Sequence, residues 1–94
     1  SGTALWYHVA MGNKAEKTLE MVFKSPTPSN IRWSDIETLI LSLHGTVQEG
    51  SGSRVRCTLN GVRAVFHRPH PRPYTDKGAD NAVRRFLVNA GVRP

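Results

Sequence analysis

The stretch RVRCTLNGVRAVFH, residues 54 to 67, constrains this chain more than any other. Asn60-Gly61 separates two runs of strand-forming residues, and Asn-Gly is the pair that suits a two-residue hairpin turn, where φ is positive at both positions. Such a turn fixes the register, because the residues flanking it stand opposite each other. Leu59 then faces Val62, Cys57 faces Ala64 and Val55 faces Phe66, all on one side. Thr58 with Arg63, Arg56 with Val65, and Arg54 with His67 take the other side. One face is a core face; the other is a basic, hydrogen-bonding surface left to solvent.

The remaining segments supply a cover for the core face. Between Lys14 and Phe23, the residues Ala15, Leu19, Val22 and Phe23 recur with helical spacing, and the breaker cluster SPTPSN stops the pattern. In NIRWSDIETLILSLHG, Ser34 and Glu37 match a capping box and Ile36, Leu39, Ile40 and Leu43 share one helical face. Gly45 is expected as the left-handed cap of that helix. Thr46 to Glu49 reads as a short strand, returned to the hairpin by GSGS. In TDKGADNAVRRFLVNAG, Thr75 or Asp76 caps a helix whose buried face is Val83, Phe86, Leu87 and Ala90, with Gly91 closing it. The order predicts an α+β domain: a three-stranded antiparallel sheet with helices on one face. Residues 14 to 94 form that single domain, and residues 1 to 13 read as a leader with Met11 a candidate start.

A lone cysteine, Cys57, excludes an internal disulfide framework and reads as a small core residue, which suits a reducing cytoplasm. No secretory signal or membrane-length apolar run is visible, so no membrane association is expected. The charge is asymmetric. Residues 1 to 53 carry four Lys/Arg against five Asp/Glu, whereas residues 54 to 94 carry nine against two. A basic half of this kind points to a polyanion, nucleic acid before membrane, or to an acidic protein.

Within the basic half, VFHRPHPRP places His67 and His70 among arginines, on a segment stiffened by Pro69, Pro71 and Pro73. Cleaving RNA without a metal needs a base for the 2′-hydroxyl, an acid for the leaving oxygen and cations for the phosphate. Histidine suits the first two tasks and arginine the third. His67 and His70 are therefore the catalytic candidates, with Arg54, Arg56, Arg63 and Arg68 as phosphate-binding candidates. The plain alternative is a solvated strand end running into a rigid loop. A metal is not expected, because the two histidines sit at odd spacing on an extended chain, Cys57 faces the core, and Asp76 and Asp80 are the only carboxylates nearby in sequence. Arg84 and Arg85 read equally as phosphate contacts or solvated surface, and His44 as a helix-end residue.

The stretch from about Trp33 to Val92 resembles the HicA toxins of bacterial HicAB toxin–antitoxin systems. The resemblance runs through the helix ending LSLHG, the GS turn into the second strand, the hairpin, the His-Pro pair and a last helix ending in Ala-Gly. It implies a fold like a double-stranded-RNA-binding domain, an α-β-β-β-α core to which the helix at Lys14 to Phe23 is an addition. It also implies a metal-independent, cofactor-free ribonuclease that cuts mRNA, and a HicB-like antitoxin as partner. In that family a catalytic histidine follows the GS pair. Here the position is Arg54, and the register puts His67 directly across from it, about 5 Å away between β-carbons. The expectation is that the histidine has moved to the neighbouring strand. The rival expectations are a non-catalytic RNA-binding module with the same basic face, and a domain that docks an acidic protein.

Overall fold

Asn60 and Gly61 both take positive φ, 52° and 79°, the backbone of a two-residue hairpin turn. The computed structural model describes residues 12–94. It contains, in chain order, α1 (Asn13–Val22), α2 (Trp33–Ser42), β1 (Thr46–Glu49), β2 (Arg54–Leu59), β3 (Val62–His67) and α3 (Lys77–Asn89). The expected leader lies outside the described residues, except for its last two. The three strands form one antiparallel sheet in the order β1-β2-β3. Every pair that the turn implies is present, from Leu59 with Val62 to Arg54 with His67.

Alternation then sorts the side chains. Val55, Cys57, Leu59 and Phe66 are buried, with Val47, Val62 and Ala64 partly buried beside them. Against this face pack Ile36, Leu39 and Ile40 of α2 and Val83, Phe86 and Leu87 of α3. Helix α1 lies on α2 and α3 through Ala15, Leu19 and Val22. Phe66 stacks between Trp33 and Phe86, at 5.7 Å to each ring, so one aromatic line joins α2, β3 and α3. No helix among the described residues is long and apolar enough to cross a membrane.

Two expected caps are replaced by others. The Ser34–Glu37 capping box does not form: Arg32 is the N-cap of α2 and makes no side-chain cap bond. The first amide, of Trp33, instead donates to the Pro73 carbonyl at 2.9 Å, and Glu37 turns to the Trp33 indole. Tertiary partners thus take the place of the local cap. At the other end of α2, the left-handed residue is His44, with φ of 68°, and not Gly45. The His44 amide reaches Leu41 and the Gly45 amide reaches Ile40, a Schellman arrangement. Gly45 is needed for space: a β-carbon there would lie 2.7 Å from the Thr58 carbonyl and 2.8 Å from Ile40 Cγ2. Helix α3 closes as expected, with Asp76 accepting from the Ala79 amide and Gly91 at φ of 83°.

Arg84 holds α1 in place. Its guanidinium donates to the carbonyls of Val22 and Lys24, at 3.0 and 2.8 Å, and lies over the Phe23 ring. It therefore satisfies the free carbonyls at the end of α1, and neither of the two readings of Arg84 from sequence applies.

Asp80 is fully buried in the first turns of α3. Thr75 Oγ1 lies 3.1 Å from the Ile31 carbonyl and 2.5 Å from Asp80 Oδ1, yet a hydroxyl has one proton for these two oxygens. Burial pushes the Asp80 carboxyl above its ordinary value, and the Thr75 hydroxyl opposes this only in part.

The folded pKa of Asp80 is raised, so its favourable contribution is whole below the unfolded value near 4 and is lost as pH climbs through the folded value. Asp80→Asn, which is neutral at every pH, should match the parent in thermal melts at acid pH and melt higher at neutral pH; parallel melting curves across pH would contradict a carboxyl raised by burial. Gly45→Ala should cost about 1–3 kcal/mol in denaturant titrations, because the β-carbon overpacks against backbone.

Candidate functional site

The outward-facing residues of the sheet form a grid fixed by the strand register. Thr46, Thr58 and Arg63 make one row, and Gln48, Arg56 and Val65 the next. Arg54 and His67 begin the third, completed by Gly50, whose amide donates to the Arg54 carbonyl at 2.8 Å. All are exposed except Thr58 and Gly50, which are partly buried. Three arginines and a histidine thus share a face whose other members are uncharged. Arg54 and Arg56 are two residues apart on one strand, placing their stems about 7 Å apart along the sheet.

Two shallow grooves cross this face. One, of about 210 Å³, is lined by Gly50, Ser51, Arg54, Arg56 and Val65. The other, of about 400 Å³, passes Gln48, Thr58, Arg63 and the same Arg56 and Val65. A larger cavity, about 570 Å³, lies elsewhere, between α1 and the start of α2. It holds no histidine, and its Lys14 and Asp35 pair with each other at 3.3 Å. It is a gap between helices, and the chemistry-bearing residues are on the sheet.

His67 is exposed at the end of β3, and its Nδ1 lies 3.3 Å from Ser53 Oγ. His70 is exposed in the connection to α3, beyond the sheet. Among the described residues it shares no hydrogen bond with His67 or the arginines. The connection is anchored at its far end by the Arg32–Tyr74 bridge and by the Thr75 amide on the Ile31 carbonyl.

Arg68 corrects the sequence reading. It follows His67, so its side chain turns to the helix side of the sheet, away from Arg54, Arg56 and Arg63. There Nε and Nη2 donate to Glu37 Oε2 at 3.1 and 3.0 Å, and Nη1 donates to Glu49 Oε1 at 2.6 Å. The guanidinium is held charged, first by its bond to Glu49, and the Glu49 carboxyl is held below its ordinary value by the same bond. Arg68 is a clasp joining β3, α2 and β1, with its N–H edges used by carboxylates. Sequence parity contained this signal: Arg68 is two residues past Phe66 and shares its side, as Glu49 shares that of Val55.

Cys57 is buried, and its thiol is pushed up to about 11, by burial first and by Glu37 second. It is protonated at neutral pH and is a packing residue. No three His, Cys, Asp or Glu side chains come together in a metal-ligand cluster among the described residues. Compared with family models, curated proteins and solved structures, the chain matches none.

Because Arg68 is committed to Glu37 and Glu49, Arg68→Ala should lower the melting temperature while leaving polyanion affinity near that of the parent. Arg54→Ala or Arg56→Ala should do the reverse. A filter-binding series with thermal melts on the same preparations separates the two roles.

Proposed function

We propose that this domain is an endoribonuclease of the HicA toxin type, in which the open sheet face holds the RNA backbone and His67 transfers the proton. The observation that supports this reading most is the placing of His67 directly across from Arg54, with Arg56 and Arg63 on the same exposed face. Arginine forks suit phosphate oxygens, and among the described residues the face presents no carboxylate to repel them. Those residues also present no aromatic ring there on which a base would stack, so the backbone is what they are suited to grip. The α-β-β-β-α order from α2 to α3, with helices on one side, fits the double-stranded-RNA-binding-domain likeness that belongs to the same proposal.

In the proposed reaction a base takes the proton of the 2′-hydroxyl, and that oxygen attacks the adjacent phosphorus. The bond from phosphorus to the 5′-oxygen breaks, and the leaving oxygen takes a proton. The products are a cyclic phosphate and a 5′-hydroxyl, with no net change in protons. His67 is placed to carry one of these transfers beside cations that stabilise the charge gathering on phosphate. His70, off the sheet, is the weaker candidate for the other. In this proposal mRNA in the cytoplasm is the substrate. A HicB-like antitoxin would cover the basic face with acidic or apolar surface, for which the exposed Val65 amid the arginines is suited.

A second reading keeps the face and drops the cleavage. It is favoured by Arg54, which stands where the resembling toxins carry their histidine. His67→Ala decides between them. It should lower RNA cleavage by about 100-fold or more while leaving affinity largely intact. Parent protein that binds RNA and yields no product would establish the binding module. In either case, three phosphate contacts from Arg54, Arg56 and Arg63 imply a log–log salt slope of about −2 on single strands. Replacing all three by alanine should flatten it.

A further inference from the structure

His67 is fixed from the side of its neighbour Ser53 by two contacts. The Ser53 carbonyl accepts from the Arg68 amide at 2.9 Å, which extends the hairpin pairing one step beyond Arg54 and His67. The Ser53 hydroxyl then reaches His67 Nδ1 at 3.3 Å. Both ends of this contact stand on braced backbone. Gly52, with φ of 60°, turns the chain back so that the Arg54 amide bonds the Ser51 carbonyl at 3.1 Å and the Gly50 amide bonds the Arg54 carbonyl. On the other strand the residue after His67 is Arg68, whose guanidinium is gripped by Glu37 and Glu49. The ring and the hydroxyl are thus held near each other by two separate sets of contacts.

We propose that Ser53 is the positioning residue of His67: its Oγ accepts a hydrogen bond from Nδ1–H and leaves Nε2 as the nitrogen that exchanges protons with RNA. This rests on the reading of His67 as a proton-transfer group. A neutral imidazole can act as a base only through its bare nitrogen. With the proton on Nδ1 held by Ser53, the bare nitrogen is Nε2. When Nε2 takes a proton, both nitrogens carry hydrogen and the bond from Nδ1 to Ser53 is unchanged. When Nε2 gives the proton up, the starting tautomer returns. One acceptor therefore keeps the ring in place through the whole cycle, whichever direction the proton moves. A hydroxyl does this without adding a negative charge to a face that must receive phosphate, as an aspartate at this place would do. Its own proton remains available to a phosphate oxygen.

The experiment reads the tautomer without RNA and the rate with it. In ¹⁵N-detected imidazole spectra of the full chain, His67 in the parent should show the Nδ1–H tautomer in the neutral form. Ser53→Ala should shift it toward the Nε2–H form that a free imidazole prefers, and Ser53→Thr should restore the parent pattern. On a single-stranded oligoribonucleotide with fluorophore and quencher at its ends, Ser53→Ala should lower kcat on the order of tenfold with KM little changed, and Ser53→Thr should recover most of it. A His67 tautomer that is the same in parent and Ser53→Ala overturns the proposal. So does a kcat that stays at the parent value in Ser53→Ala. Cleavage that survives His67→Ala overturns the functional reading beneath it, and that failure is distinct from loss of the contact, which the spectra record with no substrate present.

Discussion

The two-residue turn at Asn60-Gly61 decides which side of the sheet each flanking side chain meets. Strand side chains alternate, so a slip of one residue would send Val55, Cys57, Leu59 and Phe66 to water and bring Arg54, Arg56 and His67 against α2 and α3. That alternative would bury several cations without partners, a cost far above what any single packing contact returns. Register is therefore strongly specified here, and the core and the basic face are two readings of one constraint. The face does not need a separate explanation.

The sheet end that carries His67 is also the end most heavily tied to the helices. Phe66 is clamped between Trp33 and Phe86, and Arg68 between Glu37 and Glu49. His67, the residue between them, points the other way. An exposed side chain thus stands on backbone that is held on both sides by buried or half-buried neighbours. Exposed charge pairs add little stability alone. The Arg68 clasp is different in kind, because one planar fork engages two carboxylates from different elements and so fixes an orientation.

Much of this was legible in the sequence where a rule acts locally. The hairpin pairs, the three helices to within a residue or two, the short first strand and the Asp76 and Gly91 caps all follow from turn chemistry and periodicity. Readings failed where a distant segment supplied a better partner. Glu37 has the spacing of a capping box, but the Trp33 indole and Arg68 compete for it, and the Pro73 carbonyl takes the amide that needed a cap. Gly45 looked like a conformational glycine and is a spatial one, because the Thr58 carbonyl passes so close. For the site, the positions of Arg54, Arg56, Arg63 and His67 were fixed by parity. Arg68 lies one residue past the strand, where alternation still turns it to the side of Phe66 and Glu37. The Ser53 contact was hidden for a further reason: a turn containing Gly52 has no fixed direction until its backbone angles are known.

The grip of Arg84 on the end of α1 bears on where this domain begins as an independent unit. By sequence α1 looks like an optional prefix to a shorter core. In the fold, its last carbonyl, of Val22, is an acceptor of an arginine rooted in α3, and its apolar side closes the seam between α2 and α3. Cutting the chain after Phe23 would take the Val22 carbonyl and the Phe23 ring from Arg84 and open that seam to water. A version that lacks α1, made for expression or for fusion, would therefore carry an exposed, adhesive flank.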